Sequence, residues 1–464
     1  MSSRNNIWKA LKEAIRGSEA DYTKISLKRA IFLLAVPMIL ELVMESTFAV
    51  VDIFFVGKLG AEAVATVGLT ETYLFLLYSV AMGLAMGVTA IVARRIGEKN
   101  QEGARVAANQ AIIVSILCSL PFMLAGIFYS KELLSLMGAS DWALQEGFVY
   151  TQWMLGGNLV IILLFVINAI FRGAGDAAIA MRVLWISNGL NMLLDPLLIF
   201  GWGPFPAMGI EGAAIATNLG RGIGVLFQLY VLFRGSKHIK SSLSSIKWQA
   251  DVMLNIVKTS LGGVGQMLIS MTSWIFLMRI LADIGDAAVA GATISIRIMM
   301  FTLMPAWGLS NAAATLVGQN LGAEQPERAE KTVWKIGFYN MGFLIMVSLI
   351  FFLFREDLIG IFSQDAEVIR IGAEWLKILS FSYFIYGWWM VAVQAFNGAG
   401  DTNTPTKINV VFFWLIQIPL AYLLAIQFDW KESGVFWAVF FSESGVGLFT
   451  LWLFSRGRWK LAKV

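Results

Sequence analysis

Runs of about 20 or more apolar residues recur along the whole of this 464-residue sequence, and no other feature restricts its fold so tightly. A run of that length crosses the hydrocarbon core of a bilayer as one helix. A single run would anchor a soluble domain; here no stretch between runs is long enough to form one. Inside lipid every backbone N–H and C=O must be satisfied within the segment, so each run is expected to be helical. Charged residues make up 14% of the chain and hydrophobic ones 58%, against roughly 25% charge in soluble domains. The expected fold class is an all-α integral membrane protein.

The first run begins near Ala30, behind Lys24, Lys28 and Arg29, and far exceeds the roughly 7–15 apolar residues of a cleavable signal. It should therefore persist as α1. Upstream, Ile7, Trp8, Leu11 and Ile15 share one helical face, with Lys9, Lys12, Glu13 and Arg16 around the rest, a pattern that predicts a short helix lying on the membrane surface. Cys118 is the only cysteine and His238 the only histidine, which excludes an intrachain disulfide, a histidine relay and a histidine-rich metal site. The net charge of +4 arises from loops and termini and points to no nucleic-acid partner.

Breaks at polar and Gly/Pro-rich joints predict twelve spans: α1–α6 near 30–56, 64–92, 104–129, 143–171, 177–200 and 209–233, and α7–α12 near 252–282, 287–317, 328–354, 369–396, 404–427 and 434–455. The organisation expected is an N-terminal segment 1–29, a first lobe 30–233, a linker 234–251 reading "RGSKHIKSSLSSIKWQAD", a second lobe 252–455 and a tail 456–464. The N-terminus, the joints bearing Arg94/Arg95/Lys99/Arg105, Arg172/Arg182, Lys237/Lys240/Lys247 and Arg328/Lys331/Lys335, and the tail with Arg456/Arg458/Lys460/Lys463 fall on one side. The opposite joints carry little beyond Lys58, Lys131, Arg355 and Lys431. The positive-inside bias then makes both termini cytoplasmic, in agreement with an even number of spans.

The two halves repeat. "GVTAIVARRIGEKNQEGA" with Gly97 resembles "NAAATLVGQNLGAEQPERA" with Gly322, "AIFRGAGD" with Gly173 resembles "QAFNGAGD" with Gly398, and Gly209 and Gly434 open the last span of each half; every pair is 225 positions apart. An even number of spans per repeat gives both lobes one orientation, so the pseudo-twofold axis runs along the membrane normal and a central cavity should lie between the lobes. Rocking of one lobe against the other is the expected mechanism, by analogy with other repeat-built transporters.

With the repeat, the "VDIFFVGKLG" end of α1, the "GVTAIVARRIG" end of α2, the "FRGAGD" turn and "NGLNMLLDP" in α5, the chain resembles the multidrug and toxic compound extrusion (MATE) family from Leu27 to Phe454. The resemblance implies export of organic cations and amphipathic drugs or toxic metabolites by antiport against sodium or protons, with no cofactor, by a monomer embedded in the lipid of the inner membrane.

An ionisable residue inside a span costs at least a few kcal/mol and is a functional hypothesis by default. Asp52 lies about six residues from the outer end of α1 and Asp195 about as far from the outer end of α5, while Tyr150 and Thr217 fall about seven residues in from the outer ends of α4 and α6. Asn191 joins Asp195 on one face at i, i+4. Two carboxylates with amide and hydroxyl neighbours suit a small hard cation; the pair equally suits a proton, since like charges held close favour sharing one. Pro196 after Asp195 and Pro37 in α1 permit a bend or free a carbonyl. The resemblance picks out the same five positions, as the cation site of the branch that binds in the first lobe; with sodium, Asp52, Asn191, Asp195 and Thr217 would be its ligands.

Glu41 and Glu45 stack at i, i+4 below Asp52, an acidic column expected to face the cavity and attract a cationic substrate unless a buried arginine, Arg221 or Arg182, pairs with one of them. Their repeat mates are Gln266 and Ser270, those of Asp52 and Asp195 are Leu277 and Leu420, and the branch that binds cations in the second lobe has acids in α7 and α10 where this chain has Gln266 and the region of Tyr386. The acidic set is therefore expected in the first lobe only. Gln266 and Trp153 are further candidates for the cavity wall; Glu443 and Arg297 are the remaining deep charges, with an ion pair between helices as one reading. The alternative function is a lipid-linked precursor flippase of the same superfamily, which would need cationic side chains for a pyrophosphate. No "GxxxxGK[ST]" segment occurs, which excludes that motif's nucleotide site, and no hydrolytic constellation marks an enzyme.

Overall fold

The computed structural model describes residues 2–236, 238–241 and 247–464, and side chains from residue 8 onward. Lys237 of the linker and the Ile7 side chain lie outside the described residues. The described chain is helical throughout, without a strand. The spans are α1 Leu27–Gly57, α2 Ala61–Gly97, α3 Gln101–Leu136, α4 Ala143–Ala174, α5 Ala177–Phe200, α6 Gly209–Arg234, α7 Ala250–Ile284, α8 Asp286–Gly322, α9 Pro326–Gly360, α11 Asn403–Gln427 and α12 Lys431–Ser455. Between α9 and α11, α10 is a broken span whose pieces Ala366–Ser380 and Tyr383–Ala399 meet at 63°.

Several helices outrun the apolar stretches that predict them. α9 continues to Gly360 and α3 to Leu136, because hydropathy reports the thickness of hydrocarbon while helix propensity carries the backbone on into water. The N-terminal helix, Ser2–Arg16, buries Ala14 and leaves Trp8 and Ile15 exposed. It is tied down by Glu13 to Arg29 at 2.9 Å and by Arg182, which donates to the Ile15 carbonyl at 3.0 Å.

The sequence repeat is written into the helix irregularities. Non-helical dihedrals inside α3 occur at Tyr129 (φ −127°, ψ 18°) and inside α9 at its repeat mate Phe354 (φ −114°, ψ 18°). α4 is interrupted after Gly156, and α10 breaks after Ser380, next to Phe381, the repeat mate of Gly156. Each half has its own apolar core, one around Leu77, Ile161 and Phe171, the other around Leu344, Trp375 and Phe436. Between them α1 packs on α8 and α2 on α7, two contacts that exchange under the repeat.

The halves are fastened at the end that carries the termini. Gly97 and Gly322, the repeat-related glycines, sit back to back: a Cβ on Gly97 would collide with the Gln319 carbonyl, and one on Gly322 with the Arg94 carbonyl. Around them Gln319 donates to the Gly173 carbonyl at 3.0 Å and Thr315 to the Arg172 carbonyl at 3.0 Å. Both chain ends straddle this seam. Tyr22 donates to the Gly175 carbonyl of the first half at 3.1 Å and its own carbonyl accepts from Arg328 of the second at 3.0 Å; at the other terminus Arg95 donates to the Val464 carbonyl at 3.0 Å. Asp21 joins Lys99 at 2.8 Å; burial opposes its ionisation, but hydrogen bonds from Lys99 and Thr23 prevail and lower its pKa to about 2.

Candidate functional site

In the half of α5 remote from the seam, Asn191 and Asp195 are one helical turn apart and both buried. Glycine on α6 lets the two helices touch, since a Cβ on Gly220 would meet the Ser187 carbonyl and Asn191, and this brings Thr217 to the pair. Hydrogen-bond economy fixes the Asn191 carboxamide: its nitrogen donates to Asp195 Oδ2 at 2.9 Å and its oxygen accepts from Thr217 Oγ1 at 2.9 Å. Asp195 is fully buried, and its second oxygen, Oδ1, has no hydrogen-bond partner. Asp52, on α1, is close enough for its charge to act on Asp195, and the buried Tyr150 of α4 feels the charges of Asp52, Glu71 and Arg221. Of the four residues expected at one depth, Asp195 and Thr217 are joined through Asn191, and Asp52 lies within electrostatic range of Asp195 and of Tyr150.

Glu41 and Glu45 line a cavity of about 280 Å³ between the halves, together with Tyr78 and Arg172 from the first half and Trp307 and Gln394 from the second. They are not free carboxylates. Glu41, 2% exposed, accepts from Arg172 Nη1 and Asn168 Nδ2, each at 3.3 Å. Glu45 accepts from Asn188 Nδ2 at 2.8 Å and lies 3.6 Å from Arg221 Nη2. Of the two arginines weighed as partners, Arg221 takes this role, whereas Arg182 holds the N-terminal helix. Arg172, which sequence assigns to a joint, turns inward from the last turn of α4. The acidic column is therefore a column of ion pairs, whereas Asp52 and Asp195 above it make no ion pair among the described residues.

Gln266 is buried one layer behind the cavity, donating to Asn397 Oδ1 and to the Thr402 carbonyl, each at 3.0 Å; Asn397 itself lines the wall. Trp153, 43% exposed, donates its indole N–H to Glu211 at 3.0 Å and is not among the lining residues. Glu443 is buried and, among the described residues, makes no ion pair with Arg297, which is exposed. His238 docks the linker onto Asp176 at 2.7 Å. Sequence reasoning missed Arg172 and Glu71; Glu71 on α2 lies within electrostatic range of Asp52 and of Arg297.

Among the described residues no three His, Cys, Asp or Glu side chains converge, so a cation at Asp195 would draw on amide, hydroxyl or backbone oxygens beside the carboxylates. The site offers a buried carboxylate oxygen without a hydrogen-bond partner, with a carboxamide and a hydroxyl beside that carboxylate.

The MatE family model matches the chain twice, at residues 37–197 and 261–423, once in each half. The chain is 28% identical over 443 residues to the "Probable multidrug resistance protein NorM" of Thermotoga maritima, covering 94% of this chain and 93% of that one. It is 26% identical over 395 residues to the "FAD transporter" of Shewanella oneidensis, with 85% and 87% covered. Among solved structures, one described as "Outward-facing conformation of a multidrug resistance MATE family transporter of the MOP superfamily" superposes with a TM-score of 0.88 at 24% identity, over 95% of this chain and 98% of that one.

Proposed function

The chain belongs to the MatE family of membrane transporters, and from that premise we propose that it is a secondary active antiporter, exporting organic cations or amphipathic drugs in exchange for sodium or protons. One observation carries the proposal: Asp195 is fully buried with Oδ1 unpartnered, while the glutamates below it each have an arginine. A buried carboxylate without a counter-ion is strongly unfavourable, and a mobile cation is what relieves it. Asp52, Asn191, Thr217 and Tyr150 complete the site, and sodium would take oxygens from the first three together with Asp195.

The basic joints support termini in the cytoplasm and a place in the inner membrane. The fastened end then faces the cytoplasm, so the lobes as arranged here correspond to an outward-facing carrier. Opening the other way requires parting the α2–α7 and α1–α8 contacts at the Gly97–Gly322 seam, which fits rocking of the lobes. Export of drugs is also what the relatives named for multidrug resistance suggest. A flippase for lipid pyrophosphates is disfavoured, because the arginine lining the cavity, Arg172, is already paired with Glu41.

The test is efflux of a fluorescent organic cation from proteoliposomes under a sodium gradient and a pH gradient imposed separately. At least one gradient should drive export against the substrate's own gradient; equilibration with no uphill phase under either would overturn the antiport reading.

A further inference from the structure

We propose that Arg221 is a tethered cation shared between Glu45 and Asp52, and that its movement makes loading of the coupling cation and exposure of Glu45 to a cationic substrate mutually exclusive. The inference rests on the antiport reading above and supplies the link between its two sites.

Arg221 is 4% exposed and sits on α6 one turn beyond Thr217, so the helix that contributes to the cation site also carries this charge. Its contact with Glu45 is long, 3.6 Å from Nη2, where the surface pair of Arg29 and Glu13 closes to 2.9 Å. Nε and Nη1 of Arg221 have no hydrogen-bond partner although both are buried. A guanidinium has five donors, and leaving buried ones unmet is costly; a purely structural ion pair would be expected to satisfy more of them. Its other neighbours hold it less directionally than a carboxylate would: Phe48 and Tyr78 present ring faces with centroids 5.8 and 5.7 Å from the guanidinium carbon, and attraction to a ring face fixes the direction of a cation only loosely.

Two carboxylates compete for it. Glu45 and Asp52 lie on α1 seven residues apart, about 10 Å along the helix axis, and the guanidinium sits 3.6 Å from Glu45 and beside the ring of Phe48, the residue one turn before Asp52. Glu45 lines the cavity; Asp52 belongs with Asp195. With a coupling cation on the aspartates, repulsion drives Arg221 onto Glu45, which is then unavailable to substrate. When that cation leaves, Asp52 draws Arg221 away and Glu45 faces the cavity unpaired. One guanidinium cannot serve both ends, and that exclusion is what antiport needs.

The experiment measures equilibrium binding of tetraphenylphosphonium to the purified protein in wild type and in Arg221→Gln, with the coupling cation supplied as saturating sodium at fixed alkaline pH in one series and as protons by lowering the pH without sodium in the other. Wild type should bind the probe at least about tenfold more weakly when the coupling cation is present, and Arg221→Gln should lose this difference. A second variant, Glu45→Gln, frees Arg221 for Asp52 and should weaken coupling-cation binding about tenfold in the absence of probe, which a merely structural pair would not do. It also provides the test if Arg221→Gln does not fold. Full competition retained in Arg221→Gln, or unchanged cation affinity in Glu45→Gln, overturns the role of Arg221 alone. Absence of competition in wild type overturns the antiport reading beneath it.

Discussion

Replacing Glu41 by Gln separates two accounts of the cavity that the sequence alone leaves open. If Glu41 is a free carboxylate, the substitution removes an attraction for cations and little else. In the structure it removes the partner of Arg172 Nη1 at 3.3 Å and leaves a guanidinium that is 15% exposed facing the cavity unpaired. Breaking a buried pair from one side costs about 3–5 kcal/mol; the partial exposure of Arg172 and the surviving Asn168 contact bring the expected loss to about 2–3 kcal/mol. The assay is a double-mutant cycle of Glu41→Gln and Arg172→Met, read by denaturation in mixed micelles, with a coupling energy of about 2 kcal/mol expected because the double variant buries no lone charge. Binding should change in parallel. Affinity for a monovalent organic cation should fall about ten- to a hundredfold in Glu41→Gln, and a neutral ligand should be nearly unaffected. A coupling energy below about 0.5 kcal/mol, or equal losses for both ligands, would refute the paired column.

Three further outcomes are expected. Gly322→Val drives a side chain into the Arg94 carbonyl and should cost about 1–3 kcal/mol of stability, with faster thiol labelling of cysteines introduced at the seam; unchanged labelling would count against closure there. Asp21→Asn removes an acid held at about pKa 2, whose stabilisation is present above the ordinary carboxylate range and is lost as pH falls toward 2. Lys99 being 60% exposed, the effect should be at most about 1 kcal/mol, seen as a gap in melting temperature between wild type and variant at neutral pH that closes in acid, and a gap that persists in acid would contradict it. Glu443→Gln has no ion pair to break among the described residues and should reduce efflux only modestly, so complete loss with normal thermal stability would place coupling chemistry in the second lobe.

Much of the architecture is legible because it is periodic. Twelve apolar runs and a constant offset of 225 lead directly to paired irregularities such as Tyr129 with Phe354, and the i, i+4 stacking of Asn191 on Asp195 follows from helix geometry alone. What stays hidden is contact between helices distant in sequence. Arg172 looks like a joint residue because hydropathy places it at a span end; only the fold, which brings the last turn of α4 within side-chain reach of α1, pairs it with Glu41. Arg221 left a usable signal, a charge in mid-span that required an acid at matching depth. Trp153 shows the converse: an aromatic at a plausible depth, drawn aside by a hydrogen bond to Glu211 that nothing in its spacing announces.

The central claim is that a coupling cation neutralises the buried carboxylate of Asp195, whose Oδ1 has no hydrogen-bond partner. Its most direct test is purified Asp195→Asn in proteoliposomes, compared with wild type for uphill drug efflux under the gradient that drives wild type and for drug–drug exchange with no gradient. The amide keeps the shape and removes the charge, so uphill efflux should vanish while exchange persists. Uphill efflux near the wild-type rate would contradict the account.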